Sequence, residues 1–132
     1  MSFEHVVSPS FIVFKDGSQY LARNGITGAI SYSGTDASTV IQAVIDALTT
    51  DGIVFLKDAG TTIVLSDEIV VNAKRVRFVS NFAKFQPPNG KYCFKFINSH
   101  TWSSGNPNSS LENVYMLGSA KNGHGVLLDS ED

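Results

Sequence analysis

The sequence predicts a mainly β fold in which short strands stack in a solenoid-like repeat beneath one amphipathic helix. Residues 37–48 carry apolar side chains at helical spacing, and a β-rich segment follows them directly. From there apolar strand segments recur at steps of roughly twenty residues, a spacing typical of solenoid repeats. The best patterned of them start at Ile53, Arg75, Tyr92 and Glu112. A compact α/β or β-sandwich arrangement of the same strands is the alternative.

The composition is that of a folded chain with no bias toward nucleic acid. The 132 residues suffice to bury a core, and the 42% hydrophobic and 17% charged fractions lie outside the range of disordered chains. The formal net charge of −2 creates no global field that would attract nucleic acid, so no such partner is expected. Cys93 is the only cysteine, which excludes an internal disulfide and a cysteine-based zinc site.

An N-terminal hairpin is predicted over residues 11–23. Two apolar segments flank Asp16-Gly17, a dipeptide suited to the positive φ angles of a tight turn. The Gly-, Ser- and Thr-rich stretch that follows predicts an irregular connection around one short strand at 29–32. Residues 1–34 are therefore interpreted as a hairpin and an irregular leader. Residues 35–132 hold the helix and the coils within the same structural domain.

The helix is predicted over about residues 36–48. Thr35 or Asp36 can cap its first amides, and Asp51-Gly52 is predicted to end it, because glycine adopts the left-handed C-terminal conformation freely. A helix with one apolar face must pack against something, and the adjacent β-segments supply that surface. The apolar stripe consists of Ala37, Val40, Ile41, Val44, Ile45 and Leu48.

Eight strand segments rich in Val, Ile and Phe are predicted after the helix. They are 53–57, 62–65, 68–71, 75–79, 82–86, 92–97, 112–117 and 125–129. Strands that recur once per coil would stack in parallel and bury alternate side chains. Cys93 is then predicted to be an inert small residue at a semi-buried position. The phenylalanines predicted to form the stacked interior are Phe78, Phe82, Phe85, Phe94 and Phe96.

Four motifs follow one another in this part of the chain: Gly34-Thr35-Asp36-Ala37, the helical segment 40–48, Gly52-Ile53-Val54-Phe55-Leu56 and Ala59-Gly60-Thr61. Their order resembles the N-terminal region of the pectin lyase-like proteins, whose fold is a right-handed parallel β-helix. In that superfamily an Asp-capped amphipathic helix covers the open N-terminal end, and the first coil follows it. The resemblance implies a short right-handed parallel β-helix with a capping helix, and it covers residues 35–80 better than 80–129.

The resemblance implies two classes of function. The first is a non-catalytic module that recognises or scaffolds polysaccharide in an extracellular, cell-surface or phage-tail setting, although no signal peptide is visible at the N-terminus. The second is the N-terminal portion of a polysaccharide lyase or glycoside hydrolase whose catalytic coils are absent from this chain. Calcium is an expected cofactor only for a lyase, and no cofactor is expected otherwise.

Whether the chain is an enzyme is left open by the sequence, with the non-enzymatic interpretation favoured and no catalytic residue assigned. Gly123-His124-Gly125 matches one polygalacturonase motif, but the Asn-Thr-Asp, paired Asp-Asp and Arg-x-Lys motifs that accompany it in those enzymes are missing. Hydrolysis of a glycoside needs two facing carboxylates. The Gly-His-Gly segment is therefore interpreted as a turn leading into 126–128. No metal site is predicted, since the acidic C-terminal residues are more simply a solvated tail.

Arg77, Lys95 and Tyr115 are predicted to form one external column that binds an acidic polysaccharide. Each lies between apolar residues predicted to point inward, and neighbours on stacked strands would be about 4.8 Å apart. Two adjacent cations repel each other, and a bound uronate would relieve the repulsion while Tyr115 offers a ring face to a pyranose. Trp102 is a second candidate for stacking on sugar. The alternatives are an ordinary solvated surface for the column and packing over the side of the coil for Trp102.

The open C-terminal end is predicted to bind further coils or a second copy of the chain. Solenoids need terminal caps, and the sequence provides an evident cap only on the N-terminal side. A last coil around 126–128 would present unpaired backbone edges, which favour self-association. Membrane insertion is not expected, because no stretch approaches the length of a transmembrane helix.

Overall fold

The architecture is mainly β with one helix. A computed structural model of the chain describes residues 9–97, 109–117 and 124–129. The helix is α1 (Ala37–Ala47). The strands are β1 (Phe11–Asp16), β2 (Gln19–Asn24), β3 (Ile30–Gly34), β4 (Asp51–Leu56), β5 (Ile63–Val64), β6 (Ile69–Asn72), β7 (Arg75–Ser80), β8 (Lys84–Gln86), β9 (Tyr92–Ile97), β10 (Ser110–Glu112), β11 (Tyr115–Met116) and β12 (His124–Asp129).

The predicted N-terminal hairpin is confirmed. β1 and β2 pair antiparallel with Asp16 opposite Gln19, so Gly17 and Ser18 form a two-residue loop, and Gly17 has the positive φ of 63° that this turn requires. β3 pairs antiparallel with β2 and starts and ends slightly later than the predicted strand at 29–32. Because β1 also pairs in parallel with β4, the hairpin extends a six-stranded sheet of order β10-β7-β4-β1-β2-β3.

From β7 onward each strand pairs in parallel with the strand three positions earlier in the chain. This pattern makes three sheets: β4, β7 and β10 belong to the six-stranded sheet, β5, β8 and β11 form a second sheet, and β6, β9 and β12 form a third. Asp51 lies opposite Arg75, 24 residues later, whereas Arg77 lies opposite Ser110, 33 residues later. The strands therefore fall into three consecutive sets, β4–β6, β7–β9 and β10–β12.

Two strand predictions are wrong in detail. Tyr92 begins β9, which pairs with β6 and β12, so it does not stack on the strands that start near Ile53 and Arg75. The predicted strand at 112–117 is two strands, β10 and β11, separated by Asn113 in the left-handed conformation (φ 58°). Each set contains three strands joined by corners. The spacing of apolar segments alone does not predict the positions of these corners, and both strand predictions were wrong for this reason.

Alternate side chains of the three sheets meet in one core. In the second set, Phe78 of the first sheet packs against Phe94 of the third at 5.2 Å between ring centroids, and Phe85 of the second sheet packs against Phe94 at 5.7 Å. These three phenylalanines form one layer of the core, and the register of the strands places it between two layers of smaller side chains. The layers are Val54, Ile63 and Ile69; Phe78, Phe85 and Phe94; and Leu111, Met116 and Val126.

The predicted aromatic interior is confirmed for four of its five members, since Phe78, Phe85, Phe94 and Phe96 are buried. Phe82 is the exception, and its assignment to the interior is wrong. It lies between β7 and β8 with φ 74°, and 51% of its surface is exposed. The left-handed corner interrupts the strand alternation that would have directed this side chain inward.

The helix is confirmed over nearly its predicted length. Asp36 caps it, with Oδ1 accepting the Ser38 N–H at 3.0 Å, as expected of an Asp at this position. The apolar stripe is buried, and α1 contacts β1, β2, β3 and β6. β6 is an edge strand of its sheet. The side-chain amide of Gln42 hydrogen-bonds to the backbone of Val70 on that strand, so the helix lies along the edge of β6.

The prediction that Asp51-Gly52 ends the helix is wrong. The last helical residue is Ala47, and the C-cap is Leu48, whose N–H donates to the carbonyl of Ile45. Gly52 lies inside β4, where a Cβ atom would come within 2.7 Å of the buried Leu48 side chain. Gly52 is thus needed for close packing rather than for a left-handed cap.

Candidate functional site

The structure places the three residues of the predicted column in three different sheets. Arg77 lies on β7 in the first sheet, Lys95 on β9 in the third, and Tyr115 on β11 in the second. The prediction that they form one column is therefore wrong, because the three strands of each set belong to three different sheets. The prediction that these side chains point outward is nonetheless confirmed for Arg77 and Tyr115, which are exposed. Lys95 is half-buried. Trp102 lies outside the described residues.

Arg77 is not a free cation. Its guanidinium forms a two-point ion pair with Glu112 of β10, through Nε to Oε2 and through Nη2 to Oε1, the latter at 3.1 Å. Hydrogen bonding by Arg77 lowers the pKa of Glu112, and the same bond raises the pKa of Arg77. A bound sugar carboxylate would have to compete with Glu112 for this group.

Tyr115 instead lies beside Phe82 and Lys84. The rings of Phe82 and Tyr115 are 5.7 Å apart between centroids and tilted by 33°, and 52% of Tyr115 is exposed. Lys84 is the register partner of Tyr115 on the parallel strand β8, so the two side chains leave the sheet next to each other. We call Phe82, Lys84 and Tyr115 the aromatic platform.

The corner between the first and second sheets positions the platform. The N–H of Phe82 donates to the carbonyl of Asn113 at 3.0 Å, and the N–H of Tyr115 donates to the carbonyl of Ala83 at 3.0 Å. Beneath the corner, the buried hydroxyl of Ser80 donates to the carbonyl of Leu56 at 2.6 Å and accepts the Ala83 N–H at 2.9 Å. These bonds fix Phe82 in a left-handed conformation that costs a bulky residue about 1–2 kcal/mol.

A second row of side chains adjoins the platform on the outer face of the same sheet. Gln86 lies between Val64 of β5 and Leu117, which follows β11 and donates its N–H to the Phe85 carbonyl at 2.8 Å. Val64 and Leu117 are exposed apolar residues, whereas Gln86 is half-buried. The outer face of the second sheet thus combines ring surfaces, aliphatic groups, one amide and one ammonium group.

This combination matches the chemistry of a charged sugar ring. An exposed aromatic ring can lie against the apolar face of a pyranose, and an amide can donate to and accept from sugar hydroxyls. The ammonium group of Lys84 can bind a carboxylate, because the ion pairs found within the described ranges are Arg77–Glu112 and Lys91–Asp67 and neither involves Lys84. The platform can therefore hold a uronate.

A groove lies elsewhere, between α1 and the connection from β5 to β6. It has a volume of about 650 Å³, and its lining includes four acidic residues, Asp36, Asp46, Asp67 and Glu68. Three of these carboxylates connect different elements of the fold: Asp36 accepts from Ser66 Oγ at 2.5 Å, Asp67 pairs with Lys91, and Glu68 accepts the Tyr92 N–H. An acidic groove repels an acidic sugar, so we interpret it as a structural junction.

Within residues 9–97, 109–117 and 124–129, no group of three His, Cys, Asp or Glu side chains could hold a metal ion. His124 and Gly125 belong to β12, so the described part of the Gly-His-Gly segment is strand rather than the predicted turn. The same part of the chain contains no helix long and apolar enough to cross a membrane.

No protein-family model, no curated protein and no solved structure matches this chain.

Sequence reasoning missed Phe82 and Lys84. Lys84 could have been found, because it lies between Ala83 and Phe85, two buried residues whose alternation requires it to point outward. Phe82 could not, because its exposure depends on a left-handed corner for which phenylalanine gives no signal.

Proposed function

We propose that this chain is a short right-handed parallel β-helix of the pectin lyase-like kind and acts as a non-catalytic module that recognises acidic polysaccharide. Three features support the fold. Strands three positions apart pair in parallel, the side chains of three sheets share one core, and α1 lies along the edge of β6. In this proposal each set of three strands is one coil. The resemblance of residues 35–80 to pectin lyase-like proteins favours an extracellular, cell-surface or virion setting.

The observation that carries the function is the exposed ring pair of Phe82 and Tyr115. Burying these rings in the core or against a neighbouring turn would have stabilised the fold, since a fully buried large apolar side chain contributes about 1.5–3 kcal/mol. Phe82 is instead held outward at a strained backbone angle. Strain at an exposed residue is characteristic of binding sites.

The platform would recognise two features of its ligand, the apolar face of a sugar ring and a carboxylate group. The rings of Phe82 and Tyr115 would cover one face of a pyranose, and Lys84 would pair with the carboxylate of that sugar or its neighbour. Because Lys84 is exposed, this ion pair is screened by salt, so affinity for a polyuronate should fall as ionic strength rises. The stacking contribution should change little with salt.

The second candidate is the N-terminal portion of a polysaccharide lyase or glycoside hydrolase. β10, β11 and β12 are the last described strands of their sheets, and their outer edges could pair with further coils or with a second copy. In that case the platform would be an outlying subsite of a longer binding surface. An assay for unsaturated uronate products, with and without calcium, separates the two candidates.

Titration of the chain with oligogalacturonate and with its methyl-esterified form tests the proposal. We expect the acidic form to bind and the esterified form to bind at least about tenfold more weakly, a difference of about 1.4 kcal/mol. Tyr115→Ser and Phe82→Ser should weaken both ligands, and Lys84→Ser only the acidic one. Lys15→Ser removes an exposed lysine of the N-terminal hairpin, in the six-stranded sheet, and should change neither.

Two further variants separate the platform from the predicted column. Arg77→Ser and Lys95→Ser should leave oligogalacturonate affinity within about twofold of the parent, because each lies in a sheet other than that of Tyr115. If the parent binds no acidic glycan, or if the platform variants bind as the parent does, the proposal is wrong.

A further inference from the structure

We propose that the outer face of the six-stranded sheet binds a second copy of this chain and forms a weak symmetric dimer. This surface is separate from the aromatic platform, and the proposal stands independently of glycan binding. It also differs from the self-association predicted at the last coil, because it is the face of a sheet rather than an edge.

The outer face carries a continuous set of apolar side chains. Phe55 is the register partner of Ile12 on one side and of Val79 on the other, and Phe14 is the register partner of Leu21. All of these side chains are half-buried. None of them belongs to the hydrophobic core or to the residues that pack against it. The six members of this apolar face are Ile12, Phe14, Leu21, Ile53, Phe55 and Val79.

A sheet with one face in water normally alternates apolar and polar residues along its strands. The outer positions of the second sheet follow that rule at Lys84 and Gln86. β1 and β4 do not, because Phe11-Ile12-Val13-Phe14 and Ile53-Val54-Phe55-Leu56 are apolar at both inward and outward positions. Runs of this kind are typical of sheets that are covered on both faces, so the outer side of β1 and β4 fits a covering partner.

The charges that border the apolar face identify the partner as a second copy. One row from β2 to β10 reads Arg23, Ile12, Phe55, Val79 and Glu112, with a cation and an anion on opposite sides of Phe55, and Ile30 of β3 lies beyond Arg23. Arg23 and Glu112 are four strand spacings apart, or about 19 Å. When two such rows face each other about a two-fold axis, each Arg23 meets the partner's Glu112, and the apolar centres meet.

In an isologous interface the same surface of both copies must be complementary to itself. The arrangement of Arg23, the apolar residues and Glu112 meets this requirement. Arg23 is exposed, and its guanidinium lies 5.5 Å from the centroid of the Phe14 ring, so it is already held against the apolar face. Glu112 would then lie between Arg77 of its own sheet and Arg23 of the other copy.

The size of the face sets the expected strength. The row from Arg23 to Glu112 is about 19 Å long and six residues of a strand span about 20 Å, so each copy offers roughly 380 Å² and the pair buries roughly 760 Å². This is smaller than a standard specific interface and falls in the range of weak or transient complexes. We therefore expect a dissociation constant in the micromolar range or weaker.

Sedimentation velocity over a concentration series from about 1 μM to 1 mM tests the proposal. The parent should shift from monomer to dimer within this series. Phe55→Glu and Val79→Glu place a charge at the centre of the face and should weaken dimerisation at least about tenfold. Val64→Glu places the same charge on the second sheet and should have no effect, and far-UV circular dichroism confirms that each variant is folded.

A charge exchange tests the orientation. Arg23→Glu and Glu112→Arg should each weaken the dimer, and the double variant R23E/E112R should dimerise more strongly than either, because the exchanged charges again face each other. Val79→Thr, which keeps the shape of the side chain, replaces Val79→Glu if the latter misfolds. A parent that stays monomeric at about 1 mM overturns the proposal. So does a dimer that survives Phe55→Glu and Val79→Thr, or additive losses in R23E/E112R.

Discussion

The side chain of Gln42 pairs with both backbone polar groups of Val70. Its Nε2 donates to the Val70 carbonyl at 2.9 Å, and its Oε1 accepts the Val70 N–H at 2.8 Å. An amide side chain on the helix thus occupies the place of a neighbouring strand at the edge of β6, where backbone groups would otherwise lack a partner. This pairing gives the edge of β6 a partner from the helix.

Gln42→Ala should destabilise the protein by about 2–4 kcal/mol, because two partly buried backbone groups lose their partners. Chemical unfolding at neutral pH measures the loss. Gln42→Glu is the matched control, since its carboxylate can accept the Val70 N–H but cannot donate to the carbonyl, and it should fall between the parent and Gln42→Ala. Equal stability of all three proteins would show that the edge of β6 is not closed by this residue.

Protonation of Asp36 should destabilise the fold at low pH. The Ser66 hydroxyl that donates to the Asp36 carboxylate lowers the pKa of Asp36 below its ordinary value of 3.8, with further bonds from Thr39 and Ser38. A lowered pKa means that the carboxylate stabilises the folded state above pH 3.8, and that this contribution is lost as the pH falls through the lower folded value.

Asp36→Asn isolates this effect. Asparagine caps a helix about as well as aspartate but does not titrate, so the variant should lose less stability than the parent between about pH 5 and pH 2. Asp36→Ala should lose about 1 kcal/mol even at pH 7. Thermal unfolding at several pH values measures both. Parallel stability curves for the parent and Asp36→Asn would contradict the assignment.

Gly52→Ala should destabilise the protein by about 1–3 kcal/mol through overpacking. The new Cβ would lie 2.7 Å and 2.9 Å from the two methyl carbons of Leu48 and 3.0 Å from Ser10 Oγ. Leu48 is buried and has little room to move. The matched control is Gly34→Ala, whose Cβ would meet Val40 at an ordinary 3.5 Å and should cost little. A tolerated Gly52→Ala would mean that Leu48 is not fixed against β4.

Cys93 should be unreactive in the folded protein. Burial raises the pKa of Cys93 from 9.0 to about 12, so the thiolate is scarce at pH 8 and the sulfur is inaccessible to reagents. Iodoacetamide should label it only after unfolding. Because the pKa is raised, stability is unaffected below pH 9 and should decline as the pH rises from 9 toward 12. Rapid labelling of the native protein at pH 8 would contradict the burial of Cys93.

The sequence predicted those parts of the fold that depend on local signals. The hairpin follows from Gly17, whose positive φ allows the tight turn after Asp16, and the helix follows from Asp36 and one apolar stripe. The inward direction of Phe78 and Phe94 follows from strand alternation. Each of these features is determined by residues within one or two turns of chain.

The arrangement of strands into sheets could not be predicted in the same way. Which strands become neighbours depends on corners at Ala73, Phe82 and Asn113, all non-glycine residues with positive φ. Such residues give weak sequence signals, and the corners exchange one sheet for the next. For this reason the outward direction of Tyr115 was correctly predicted, whereas Lys95 was assigned as its neighbour in place of Lys84.

Disulfide trapping at Tyr115 tests the central claim most directly, namely that strands three positions apart stack in parallel and bring the platform together. In a Cys93→Ala background, the pair K84C/Y115C should oxidise to an intramolecular disulfide, because parallel register partners have Cα atoms about 4.8 Å apart, within the range a disulfide spans. The pair K95C/Y115C should remain reduced. Efficient cross-linking of K95C/Y115C with none in K84C/Y115C would contradict the account.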